Sequence, residues 1–167
     1  MSESIEYGAD FNHPFDAVYT AMTAKDSIQK VVDQFGDGGA KLLDYSGDAN
    51  NLTYKAEVTI KSDSLPWLAR HLHPGDLVVT LTQKWVKTSA GAAAGTVSAA
   101  LSDQDGDPVS ANTSLQANGD HTSWLVKGTV AVDGLMGGKV AKLIADQVHD
   151  LLGSEAGYLQ LLLNSAN

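Results

Sequence analysis

The side chains able to do chemistry are few and poorly clustered. The chain has five histidines and no cysteine, so a thiolate nucleophile, a disulfide and a Cys-ligated zinc or iron–sulfur cluster are all excluded. His71 and His73 would share a face of an extended segment, but zinc needs a third and a fourth ligand, and nothing nearby has the required spacing. They read as an ordinary loop pair. His13, His121 and His149 fall in separate elements, with His13 expected to serve the start of a first helix. Asp103, Asp105 and Asp107 stand at positions 1, 3 and 5 of a calcium-loop spacing. Position 6 is Pro108, where the sharp turn wants glycine, and position 12 is Ser114, where a bidentate glutamate is needed, so the segment reads as an acidic hairpin turn. No metal is expected. Gly134 to Lys139, at a helix start, would aim backbone N–H groups and a helix dipole at an anion. A phosphate loop, however, needs glycine where Asp133 stands and Ser or Thr where Val140 stands, so this is a strand-to-helix hinge. No Gly-x-Ser-x-Gly elbow occurs and no convergent triad can be picked out. Neither a catalytic residue nor a cofactor is expected.

Gln83 is the informative polar residue. It shares a face with Leu77, Val79, Leu81 and Trp85, where an unsatisfied amide costs about 1–3 kcal/mol. Its partner is either internal (a neighbouring strand, a buried water or Tyr54) or a ligand that it orients. Tyr7, Tyr54, Trp85 and Trp124 are inward aromatics by alternation, fit for core or cavity wall. By the same alternation no carboxylate and no histidine falls on an inward face.

The elements that must position these residues follow from the period of the pattern. Ser4 to Phe11 alternates as a strand, with Ile5, Tyr7, Ala9 and Phe11 on one face. Asn12 is expected to cap a helix carrying Phe15, Val18, Tyr19 and Met22, interrupted at Thr23 and Ala24. A second short helix holds Ile28, Val31, Val32 and Phe35 and ends among Gly36, Gly38 and Gly39. Strands follow at Lys41–Tyr45, Leu52–Ile60, Leu77–Val86, Gly95–Leu101, Val109–Ala117 and Thr122–Asp133, with turns at Asp105-Gly106 and Gly119-Asp120. Ser64 to Leu72 reads as a helical turn or loop. After Asp133 the period becomes 3.6, and Val140 to Leu163 predicts one long amphipathic helix, with a bend possible at Gly153 or Gly157. The class is α+β, one domain over residues 1–167.

Composition narrows the function. Hydrophobic residues at 43% and charged residues at 19% of 167 describe a globular chain with no apolar run long enough to span a membrane. A net charge of −9 would repel a phosphate backbone, so neither nucleic acid nor an anionic membrane is an expected partner. Met1 to Asp10 lacks the features of a secretory or mitochondrial leader, which gives an expectation of a cytoplasmic protein. The sequons at Asn51 and Asn112 are then chance matches.

The order of elements, with the opening "DFNHPFDAVYTAMTAKDSIQKVV" (Asp10 to Val32) and the closing "VDGLMGGKVAKLIADQVHDLL" (Val132 to Leu152), resembles the START-like, helix-grip superfamily that includes the birch-pollen allergens and polyketide cyclases. Within it the chain is similar to an uncharacterised actinobacterial family. The resemblance implies a curved antiparallel sheet of about seven strands wrapped round the C-terminal helix. It also implies a cavity that often takes a lipid, polyketide, steroid or aromatic ligand. Small inward residues such as Ala56, Gly128 and Ala141 are expected to leave that cavity unfilled. The leading expectation is binding or carriage of one small, largely apolar molecule lined by Tyr54, Leu81, Gln83, Trp85, Trp124, Val126, Leu143 and Ile144. The alternatives are a cyclase- or dehydratase-like enzyme and a partner-binding regulator with a filled core. The oligomeric state is left open.

Overall fold

The computed structural model describes residues 2–34, 39–61, 63, 75–101, 106–132 and 137–165. The alternation at the N-terminus becomes β1 (Ser2–Phe11), with Ile5 and Phe11 buried and Glu6, Gly8 and Asp10 exposed. Two short helices follow, α1 (Phe15–Thr23) and α2 (Lys25–Val32). Asn12 is not the cap. Pro14 stands immediately before α1 with φ −67° and ψ 158°, and its carbonyl accepts from the Val18 N–H at 3.2 Å. Proline's fixed φ makes the turn into the helix without a side-chain cap. Ala24 separates the helices in extended geometry: its N–H bonds Thr20 O at 2.8 Å and its carbonyl accepts from Ile28 at 2.9 Å.

The remaining strands are β2 (Ala40–Gly47), β3 (Asn51–Ile60), β4 (Leu77–Ser89), β5 (Ala92–Leu101), β6 (Val109–Asn118) and β7 (His121–Ala131). They form one antiparallel sheet in the order β1-β7-β6-β5-β4-β3-β2, so the α1–α2 excursion carries the chain from one edge to the other. Both β4 and β5 are longer than the alternation predicts, by three residues each. Ala92 to Ala94 have little strand propensity of their own, but pairing with β6 on one side and the end of β4 on the other draws them into the sheet. The β6–β7 connection is the expected two-residue loop, with Gly119 at φ +65° supplying the backbone conformation that only glycine adopts freely.

The C-terminal helix α3 (Gly137–Ser165) has 29 residues and runs helical through both Gly153 and Gly157, roughly 43 Å in length at 1.5 Å per residue. It packs on β1 and β7 of the sheet, the face that carries Trp124 and Val126. A Cβ added at Gly153 would lie 3.9 Å from the Tyr7 ring, so the helix rides close over β1 there. Packing on the sheet thus outweighs the weak helix propensity of the two glycines.

Among the described residues, the buried side chains form two clusters. One gathers α1, α2 and the C-terminal half of α3 around Phe11, Leu52, Trp85 and Trp124. The other gathers Ile5, Val109, Val130 and Val132 under Ala141 and Ala145 of the first turns of α3. Leu152 packs against both.

Candidate functional site

At the seam between the two clusters, sheet and helices leave a partly enclosed, mainly apolar hollow of about 150 Å³. A volume of that order accommodates a benzene-sized molecule. Of the eight residues expected to line it, Tyr54, Leu81, Gln83, Trp124 and Val126 do so. Trp85 does not. It lies two residues further along β4, closed off by α1, with its ring edge-on to Tyr19 at 6.4 Å. Leu143 and Ile144 are also absent from the wall. They belong to the first turns of α3, where the fully buried Ala141 brings helix and sheet into direct contact and leaves no gap. The helix wall begins one turn later, with Val148, Leu151, Leu152, Glu155 and Leu159. Helices α1 and α2 close the hollow from another side with Met22, Ile28, Val31 and Val32. Of the three small residues expected to leave space, only Ala56 faces it. Gly128 instead permits close backbone approach: a Cβ there would meet Ser110 O at 2.2 Å.

Sequence alternation predicted no acid inside, and Glu155 corrects it. The residue is half-buried on the wall of the hollow, and its carboxyl group makes no hydrogen bond or ion pair with any described residue. Removal from water disfavours the charged form, so its pKa is pushed up from the ordinary carboxylate range to about 7. The signal was helical rather than strand-like. Glu155 follows Leu151 and Leu152 by four and three residues and precedes Leu159 by four, which places it within the apolar stripe.

Three further groups shape the polar end. Gln83 and Tyr54 are direct cross-strand neighbours in the β3–β4 register. The Gln83 Nε2 donates to the backbone carbonyls of Lys84 at 3.0 Å and of Thr96 at 3.2 Å on the neighbouring strand β5, so one half of the amide has an internal partner. Its Oε1 accepts nothing and is not sealed off, so it opens on the hollow. The Tyr54 phenol is pushed up strongly, first by burial and then by the charge of Glu155. The phenol of Tyr7 is raised by the same two causes in the same order. Trp124 donates its Nε1–H to Thr113 Oγ1 at 2.8 Å and meets Tyr7 edge-on at 5.7 Å.

His13 and His149 have structural surroundings. His13 is buried, with Nε2 2.9 Å from Asn164 Oδ1 and its carbonyl accepting from Thr122, so it ties the start of α1 to β7 and the end of α3. His149 meets the Tyr7 ring edge-on at 5.4 Å. His71, His73, Asp103, Asp105, Phe35, Gly134 and the segment 64–72 lie outside the described residues. Among the described residues no three His, Asp or Glu side chains converge on a metal position, and no helix is long and apolar enough to cross a membrane.

A seven-stranded antiparallel sheet with two short helices after β1, a long C-terminal helix on its face and an apolar hollow between them defines a helix-grip protein. More narrowly, the chain belongs to the family described as "protein of unknown function (DUF2505)", which matches residues 6–163. Solved structures of the same architecture include TTHA0849 from Thermus thermophilus, with TM-score 0.64 and 8% identity over 99% of both chains. The Zhui aromatase/cyclase from Streptomyces sp. R1128 superposes with TM-score 0.58 and 10% identity, over 98% of this chain and 94% of that one. Ara h 8.0201 does so with TM-score 0.53 and 14% identity, over 95% and 98%. At such identities the likeness is one of fold. No curated protein matches the chain.

Proposed function

We propose that this chain, as a single cytoplasmic domain, binds or carries one small, largely apolar molecule in the hollow between sheet and α3. The observation that carries the reading is the hollow itself, about 150 Å³ walled mainly by aliphatic and aromatic side chains. Burial of a ligand there contributes about 25 cal/mol per Å² of apolar surface removed from water. Tyr54, Leu81, Gln83, Trp124 and Val126 contact it from the sheet, and Val148 and Leu152 from the helix. The actinobacterial origin belongs to this proposal too, on the resemblance of the opening and closing segments. A filled-core regulator is disfavoured by the same open volume.

A second reading has one specific observation behind it. Glu155, a carboxyl group with its pKa near 7 in an apolar site, is suited to give or take a proton, as a cyclase- or dehydratase-like enzyme would require. The fold shared with the Zhui aromatase/cyclase is compatible with either reading.

The test is titration with one- and two-ring aromatic compounds, read by tryptophan fluorescence and thermal melting, with Trp124→Phe as control. Binding should change the fluorescence of the wild type, and most of that change should disappear in the variant. Absence of both a fluorescence and a melting response across the panel overturns the binding reading.

A further inference from the structure

The unpartnered polar atoms facing the hollow are electron-rich. Glu155 presents a carboxyl group with no hydrogen-bond donor, and Gln83 presents Oε1, because its Nε2 is held by two strand carbonyls. Tyr54 links the two: it stands opposite Gln83 across the β3–β4 pair, and its phenol responds to the charge of Glu155. The described lining contains no Lys, Arg or His. Once Glu155 is ionised, above about pH 7, the side-chain donors besides the Gln83 amide are the hydroxyls of Tyr54, Ser98 and Thr113, which can also accept, and the Trp124 N–H, which is committed to Thr113. What Tyr54 and Trp124 offer a ligand is then largely aromatic surface, whose faces attract cations. The whole chain carries −9, which favours approach of a cation over an anion.

We infer that the molecule held in this hollow is a compact apolar body bearing one protonated amine, with the ammonium directed to the Glu155 carboxylate and the Gln83 amide oxygen. The inference rests on the apolar-ligand reading and narrows it. An alcohol would donate one hydrogen bond and leave the carboxylate charge unbalanced in an apolar site, and an anion would be repelled. An ammonium supplies three donors and the compensating charge.

The groups facing Glu155 let the charge state be read cleanly. Tyr54 from β3 and Tyr7 from β1 have phenols pushed up by burial, so both stay neutral through the physiological range. The described walls from α1, α2 and β4 to β7 hold no ionisable side chain, and on α3 itself the wall holds only Glu155. His149, six residues before Glu155 on α3, packs on the Tyr7 ring and does not line the hollow.

Phenethylamine, phenethyl alcohol and ethylbenzene form a matched set for calorimetric titration of the whole chain at pH 8. The amine should bind at least about tenfold more tightly than the alcohol, and Glu155→Gln should erase that preference while leaving ethylbenzene affinity unchanged or higher. In the wild type, amine affinity should rise about tenfold per pH unit from pH 5 toward 7 and then level, because the carboxyl must ionise to pair, while ethylbenzene affinity does not rise. If circular dichroism shows Glu155→Gln unfolded, this wild-type profile decides. Equal binding of amine and alcohol, or an amine preference that survives Glu155→Gln, overturns the inference and leaves apolar binding standing. Failure of all three compounds to bind overturns both.

Discussion

Glu155 is a carboxyl group whose surroundings reward its neutral form, and that has a consequence for stability. Its folded pKa, about 7, lies above its ordinary value of 4.5, so the folded chain holds a proton that the unfolded chain releases between those two values. Stability from this group is therefore full below about pH 4.5 and declines until pH 7, by up to about 3 kcal/mol. Glu155→Gln should melt close to the wild type at pH 4 and clearly above it at pH 8; parallel melting curves at the two pH values would contradict this. Thr113 offers a second prediction, because it accepts the buried Trp124 N–H. Thr113→Val should cost about 1–3 kcal/mol in urea unfolding, and Thr113→Ser, which keeps the oxygen, should recover most of it. At this scale the sequence was partly legible. Gln83 stood out because an amide on an apolar strand face demands a partner. Glu155 is harder to read, because a carboxylate does not register in an apolar stripe, although its spacing from Leu152 and Leu159 puts it on the same face.

Elements were more legible than single residues, since a period of 2 or 3.6 is repeated many times along each one. Among the described residues, seven strands and three helices appear in the expected order. What periodicity cannot carry is where an element meets its neighbours: how far α3 lies against the sheet before the hollow opens, or that α1 covers Trp85. Both depend on contacts between residues far apart in the chain. Glycine roles are equally hidden. Gly95 looks like a weak strand residue, yet a Cβ there would stand 1.9 Å from the Lys84 carbonyl oxygen, the same oxygen that accepts from Gln83 Nε2. Gly95→Ala should thus destabilise the sheet by at least about 1–3 kcal/mol and loosen the Gln83 amide together with β4. Hydrogen exchange of the β4 and β5 amides checks it: accelerated exchange centred on Lys84 to Trp85 is expected, and a neutral melt with unchanged protection would show that the close approach can relax freely.

For the whole molecule, the decisive feature is that two packed clusters do not quite merge. Ala56 sits at that seam, 2% exposed, between Leu42 of β2 and Leu81 of β4, with its methyl group on the wall of the hollow. If the hollow is a binding site, filling it from within should separate folding from ligand uptake. Ala56→Leu adds three carbons where space already exists, so the strain that usually follows enlargement of a core residue is relieved by the void, and the added apolar surface favours the folded state. The wild type should gain about 3 kcal/mol from an apolar ligand present at a hundred times its dissociation constant, a melting rise of roughly 5–10 °C for a chain of this length. Ala56→Leu should melt at or above the free wild type and gain little from the same ligand. A variant that is destabilised by several kcal/mol, or that still responds fully to ligand, would mean that the void is not where the ligand sits.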